Sequence, residues 1–126
     1  MSVAEQADEA VVAKNPIHAR AVIIGTGFSG LGMGIALQKQ GFGHGDGDGD
    51  FDGDFDGGFV ILEKADDIGG TWRDNRYPGI AVDIPSFSYQ FSFELNPDWS
   101  RVFAPGREIK AYADHCVDKY ALRDRI

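Results

Sequence analysis

The chain is poor in cysteine, in basic clusters and in long apolar runs, and each shortage excludes a class of protein. Cys116 is the one cysteine among 126 residues, which excludes an internal disulfide framework and a multi-cysteine zinc site. No stripe of lysine and arginine favours nucleic-acid binding, and no apolar run approaches the roughly 18 residues that cross a bilayer. The first residues also lack the apolar segment of a signal peptide. We therefore expect a cytoplasmic protein without nucleic-acid or membrane partners, whose oligomeric state the sequence leaves open.

The negative charge is concentrated in one short tract. The formal net charge is −8, and the six aspartates from Asp46 to Asp56 account for six of these charges, which leaves −2 for the rest of the chain. Glycine is costly to order and like charges repel one another. We therefore predict that residues 42–58 form a disordered insertion at the surface, which a folded domain tolerates at a modest cost in loop closure.

A calcium loop is an alternative interpretation of the end of this tract. The pattern D-x-D-x-D-G-x5-E supplies alternating oxygen ligands, a bend and a final bidentate glutamate. It is matched within residues 52–63 by Asp52, Asp54, Asp56, Gly57 and Glu63. No helix is predicted before it, and the apolar residues inside it favour a strand. The alternative stays open as a non-catalytic, calcium-binding module.

The rest of the chain predicts an α/β fold. Residues 19–25 (ARAVIIG) and 59–64 (FVILEK) are apolar, β-branched runs typical of buried parallel strands. The segment between them predicts a helix that stops near Gly41. Residues 85–93 are bracketed by prolines and are predicted to be irregular or weakly extended. We predict a flexible leader at 1–17 and one domain at 18–126, interrupted by the acidic tract.

A strong helical repeat lies near the end of the sequence. Apolar residues recur at helical spacing and form one face of an amphipathic helix. They are Ile109, Tyr112, Ala113, Cys116, Val117 and Tyr120. We expect this face to pack against the core.

A glycine pattern stands where the first strand meets the first helix. Gly25, Gly27 and Gly30 form G-x-G-x-x-G, which suits a tight turn, a close approach of backbone to a pyrophosphate and close packing of helix on strand. The pattern is normally completed by an acid about 20 residues further on that holds a ribose. Glu63 ends the second strand 33 residues after Gly30, and the excess is close to the length of the acidic tract. A glycine-rich turn that binds nothing is the plain alternative.

A second segment carries groups that suit a flat, charged ligand. Residues 69–79 read GGTWRDNRYPG. The glycine pair permits a close approach, Trp72 can lie along a ring system, and the arginines can pair with anions. Asp83 follows as an acid between apolar neighbours. Spacing alone does not separate a binding loop from a structural one.

Together these segments resemble the N-terminal part of flavin-dependent monooxygenases. More narrowly, they are similar to Baeyer–Villiger monooxygenases, which carry G-G-T/V-W-x-x-N-R-Y-P-G-x-x-x-D. The resemblance covers about residues 19–126 apart from the tract and implies a Rossmann-like FAD-binding domain. It further implies FAD and NADPH as cofactors, and the insertion of one oxygen atom from O2 into a small-molecule ketone. An N- or S-oxygenating monooxygenase, or another FAD oxidoreductase, remains an alternative.

The resemblance also assigns residues to the parts of FAD. The pyrophosphate would lie over Gly25, Gly27, Phe28, Ser29 and Gly30. The adenosine ribose would be held by Glu63, with Lys64 beside it. The flavin end would be lined by Gly70, Thr71, Trp72, Arg73, Asp74, Asp83 and Tyr89. Asp83 is the catalytic candidate, expected near the flavin and paired with an arginine from a later part of the chain.

Two features of the family are missing from these 126 residues. Family members are several times longer, and they carry a second glycine fingerprint for NADPH and a signature resembling F-x-G-x-x-x-H-x-x-x-W-P. We therefore expect a truncated piece with an incomplete domain, inactive alone and weak in FAD retention.

Overall fold

The computed structural model describes residues 19–42 and 58–126. Strands β1 (Ala21–Ile24) and β2 (Phe59–Leu62) pair in parallel, with Ala21 opposite Phe59 and Ile24 opposite Leu62. This arrangement confirms the predicted α/β class. The predicted leader, nearly all of the predicted insertion and the first half of the candidate calcium loop lie outside the described residues.

Helix α1 (Phe28–Lys39) follows β1 directly and ends where the sequence predicts. Its C-cap is Gln40, and Gly41 follows with φ +85°. The N–H of Phe42 then donates to the carbonyl of Leu37 at 3.0 Å. A left-handed glycine just past the last turn is a common way to satisfy the free carbonyls of a helix end.

Two further helices complete the described elements that matter for the site. Helix α2 (Thr71–Asp74) is a single turn, and helix α3 (Gly106–Lys119) carries the predicted apolar face. The chain between them has a 3-10 turn at Ser86–Ser88 and a single bridge at Ala81, and the predicted segment 85–93 forms no strand. None of the described helices is long and apolar enough to cross a membrane.

The main core lies between α1, α3 and one face of the sheet. The predicted face of α3 is buried from Ile109 to Val117, whereas Tyr120 lies past the helix end and is half-buried. The fully buried members of this core are Leu31, Ile35, Phe59, Ala113, Cys116, Val117 and Leu122. The helical repeat in the sequence therefore predicts the packing surface correctly.

The opposite face of the sheet differs from the prediction. Val22 is 55% exposed and Ile24 is 79% exposed, although both strands are predicted to be buried. Successive strand residues point to opposite faces, and α1 and α3 lie against one face only. Among the described residues, nothing covers the other.

Candidate functional site

The glycine turn between β1 and α1 is built for close backbone contact. Gly25 has φ +91°, which suits the predicted tight turn. A β-carbon at Gly30 would lie 2.0 Å from the carbonyl oxygen of Gly25, so no side chain fits there and α1 can start directly beside β1. A β-carbon at Gly27 would meet nothing within 4 Å. The turn is thus tight towards the strand and open on its outer side.

The second sequence segment lies directly against this turn. The N–H of Gly69 donates to the carbonyl of Thr26 at 3.0 Å. Gly70 has φ +53°, and a β-carbon there would lie 3.1 Å from the Cα of Gly27. Only glycine combines this left-handed conformation with so close an approach. Two motifs more than 40 positions apart therefore form one site.

A cavity of about 350 Å³ opens between the two motifs. Its lining residues are Ile24, Gly25, Gly27, Phe28, Ser29, Gly30, Gly69, Thr71, Trp72 and Tyr89. The first residues of α1 belong to this lining, and the N–H groups of a first helical turn have no acceptor within the helix. They concentrate partial positive charge, which favours a bound anion.

An aromatic wall closes one side of the cavity. The indole Nε1–H of Trp72 donates to the hydroxyl oxygen of Tyr89 at 3.0 Å, with the rings edge to face at 5.6 Å. Phe28 packs edge to face against Tyr89 at 5.3 Å. Because the oxygen of Tyr89 accepts from Trp72, its own proton remains available for a ligand. The wall thus consists of aromatic rings packed edge to face, with one polar donor.

Glu63 is hydrogen-bonded to Thr26 in the turn but does not line the cavity. Its side chain is 7% exposed. Oε2 accepts hydrogen bonds from both the N–H and the hydroxyl of Thr26, and Oε1 accepts one from the N–H of Ala65 at 3.0 Å. These donors, the Thr26 hydroxyl first, lower the pKa of Glu63 to about 2. A full negative charge is therefore held beside the turn at neutral pH.

The structure places Arg73 with Glu63, away from the cavity lining. Its Nη1 lies 3.1 Å from Glu63 Oε1 and donates to the carbonyl of Asp67 at 2.8 Å. The guanidinium also binds Asp74 through two hydrogen bonds, which lower the pKa of the Asp74 carboxyl. The position of Thr26 between two glycines is the only sequence signal that could have pointed to its contact with Glu63.

Two predicted residues stand apart from this cluster. Lys64 and Asp83 are exposed, and neither lines the cavity. Asp83 follows a short bridge between Ala81 and Pro105 that joins its loop to the start of α3. Within residues 19–42 and 58–126, no three metal-ligating side chains cluster closely enough to hold a metal ion.

Curated proteins similar to this chain are monooxygenases, although no family model matches it. A Baeyer–Villiger monooxygenase of Pseudomonas aeruginosa is 46% identical over 108 residues, which cover 86% of this chain and 18% of that protein. A Baeyer–Villiger monooxygenase of Streptomyces coelicolor is 42% identical with the same coverage of both chains. The FAD-binding monooxygenase tazF of Aspergillus terreus is 41% identical over 88% of this chain and 18% of its own length.

Solved structures agree with these relatives. An oxidized steroid monooxygenase bound to NADP matches with a TM-score of 0.70 and 31% identity over 88% of this chain and 19% of that one. Cyclohexanone monooxygenase from Rhodococcus sp. Phi1, bound to NADP+, matches with a TM-score of 0.70 and 32% identity over the same shares. This chain thus spans less than a fifth of the length of each of these proteins. By sequence and by fold, the chain belongs to the Baeyer–Villiger monooxygenase family.

Proposed function

We propose that the cavity between the two motifs binds FAD, as part of an NADPH-dependent monooxygenase that inserts one oxygen atom of O2 into a ketone. The observation that carries the proposal is the cavity itself, which brings the glycine turn and the aromatic wall of Trp72 and Tyr89 together. The names of the relatives support the flavin and the reaction class.

The residues fit FAD in two ways. The pyrophosphate would approach Gly27, where the backbone has open space, and would receive N–H groups from Phe28, Ser29 and Gly30 at the start of α1. A ribose hydroxyl would donate to the charged carboxylate of Glu63. When bound, FAD supplies the redox chemistry, while the chain binds and orients it.

The flavin end would lie towards Thr71, Trp72 and Tyr89. The Tyr89 hydroxyl would donate a hydrogen bond to the ligand, and the indole of Trp72 would hold that hydroxyl in place. Lys64 and Asp83 remain proposed cofactor contacts, and Asp83 remains the proposed catalytic residue. Both are exposed and lie outside the cavity lining, so their support comes from the resemblance alone. NADPH, the ketone, O2 and the cytoplasmic location are proposed for the whole enzyme. This chain spans only 18% of the length of the Pseudomonas relative.

The decisive test is a methyl group placed where the pyrophosphate would lie. Gly27 has φ −68° and a β-carbon there meets nothing within 4 Å, so Gly27→Ala leaves the fold unstrained. We expect FAD binding, followed by quenching of flavin fluorescence, to weaken at least about tenfold while the melting temperature stays within about 2 °C of wild type. An unchanged FAD affinity in a folded Gly27→Ala protein would remove the pyrophosphate from this turn.

A further inference from the structure

The carboxylate of Glu63 is held by donors from three separate parts of the chain. Thr26, in the glycine turn, donates two hydrogen bonds to Oε2, and Ala65, just after β2, donates its N–H to Oε1. Arg73, in α2, places Nη1 3.1 Å from Oε1. Oε2 thus accepts two hydrogen bonds and Oε1 accepts one beside its ion pair with Arg73. A carboxylate offers about four acceptor sites, so one site on Oε1 is left for a ribose hydroxyl. The orientation of Glu63 is therefore determined by its neighbours.

Arg73 is itself fixed from the far side. Its Nε and Nη2 donate to the two carboxylate oxygens of Asp74 at 2.8 and 3.1 Å, and Nη1 donates to Asp67 O at 2.8 Å. The Arg73 side chain is only 10% exposed, against 61% for Asp74. A planar guanidinium held at all three nitrogens has little freedom to turn towards another ligand.

We propose that Thr26 and Arg73 are positioning residues for Glu63 and that Arg73 serves the adenosine end of the cofactor, not the flavin end. The inference rests on the proposed function, because Glu63 is the carboxylate that would receive the ribose. Arg73 is adjacent to Trp72 in the chain, yet the guanidinium points to the end of β2. Its contribution to binding is thus made through the carboxylate that it orients.

ADP separates the two ends of the cofactor, because it carries the ribose and the pyrophosphate without the flavin. Arg73→Gln removes the guanidinium and keeps a hydrogen-bonding side chain. We expect it to weaken ADP and FAD by the same factor, about tenfold. Arg73→Lys, which keeps a charge without the fork, should restore part of the loss for both ligands. Loss of FAD affinity with unchanged ADP affinity would place Arg73 at the flavin end and overturn the proposal.

Thr26→Val tests the other positioning residue with a side chain of similar shape. It removes the hydroxyl that contributes most to the low pKa of Glu63. That pKa should rise, so that ADP affinity falls as the pH is lowered from about 6 to about 4, where wild type keeps its affinity. The pKa is measured directly by carboxyl-carbon NMR of Glu63 without any nucleotide. A wild-type pKa and pH profile in this variant would contradict the role of Thr26.

Matched controls keep the outcomes distinct. Ser100 also donates its hydroxyl to a carboxylate, that of Glu108, but lies outside the cavity, so Ser100→Ala should change neither affinity nor its pH profile. Glu63→Gln removes the titrating carboxylate itself, so ADP affinity in this variant should be weak and should not vary with pH. If wild type binds neither ADP nor FAD, the proposed function itself fails. If only Glu63→Gln weakens binding, Glu63 keeps its role and the positioning proposal fails.

Discussion

Glu63 and Glu94 are both nearly buried carboxylates with a pKa lowered to about 2, but they are held by different chemistry. Glu63 is held chiefly by a neutral hydroxyl and backbone N–H groups beside the glycine turn. Glu94 lies in the loop before α3 and is held by cationic and hydroxyl side chains, Lys119 first. The carboxylate of Glu63 is bonded to the glycine turn, whereas that of Glu94 closes a contact between loop and helix.

The partners of Glu94 come from a single stretch of chain. His115 Nε2 and Lys119 Nζ lie 3.0 and 2.9 Å from Oε1, and the hydroxyl of Tyr120 donates to Oε2 at 3.0 Å. The backbone carbonyl of Glu94 accepts from the hydroxyl of Tyr112 at 2.7 Å. These bonds fasten the aromatic loop to α3. The contacts of Glu94 are those of a structural residue, whereas a binding role is proposed for Glu63.

The largest effect is expected for Glu94→Gln. The variant leaves a buried amide facing three donors, and hydrogen bonds to a charged partner are worth about 1.5–3 kcal/mol each. We expect the free energy of unfolding to fall by about 2 kcal/mol, with FAD affinity unchanged. Urea unfolding and a flavin titration measure the two quantities. A loss of FAD affinity in the folded variant would make Glu94 part of the binding site.

A smaller effect is expected for Glu63→Gln, and it concerns FAD affinity instead of the free energy of unfolding. Removing the charge that would receive the ribose should weaken FAD binding about tenfold. Isothermal titration with FAD, set beside Glu94→Gln as the matched carboxylate control, measures this. Equal FAD affinities in the two variants would erase the functional difference between the two carboxylates.

Acid should destabilise wild type more than Glu94→Gln. A carboxylate whose pKa is lowered by folding stabilises the fold above its unfolded pKa, and this stability is lost as the pH falls through the folded pKa. For Glu94 the window runs from about pH 5 down to about pH 2, so the stability gap between the two proteins should close over this range. Urea midpoints at several pH values measure it. A gap that stays constant down to about pH 2.5 would show that the charge of Glu94 does not stabilise the fold.

Salt should produce the smallest effect. The Lys119 side chain is 52% exposed, so its attraction to Glu94 is screened by added ions. Raising sodium chloride from about 0.05 to about 1 M should lower the stabilisation by Glu94 by at most about 0.5 kcal/mol. The Glu63 pKa, set mainly by uncharged donors, should stay nearly constant in the same NMR titration. A larger salt response at Glu63 than at Glu94 would reverse the comparison.

Much of the frame follows from local sequence. The strand before Gly25, the helix that stops at Gly41, and the apolar face of α3 are correctly predicted, because each depends on residues close in the chain. The acid at the end of β2 is also found at the turn, despite the long spacing from Gly30. Sequence reasoning missed Thr26 as a partner of Glu63 and did not anticipate the network around Glu94. Thr26 and Glu63 are 37 positions apart, and His115 and Tyr120 lie 21 and 26 positions after Glu94. No sequence repeat marks these contacts.

Arg73 shows why the motif alone was insufficient. The segment GGTWRDNRYPG places Arg73 beside Trp72, and along the chain both could face the same ligand. In the fold, Trp72 turns to Tyr89 while Arg73 turns to Glu63. Neighbouring residues of a helical turn point about 100° apart, so which of them meets the cavity depends on how α2 docks.

The sequence alone determined the local backbone features. These are the glycine where the helix contacts the strand, the glycine where the helix ends, and the apolar side chains at helical spacing. The direction of a charged side chain and the identity of its partner are different, because they depend on how distant segments dock. The exposure of the sheet face at Val22 and Ile24 also depends on tertiary structure. An apolar strand sequence predicts burial but does not specify which element covers the strand.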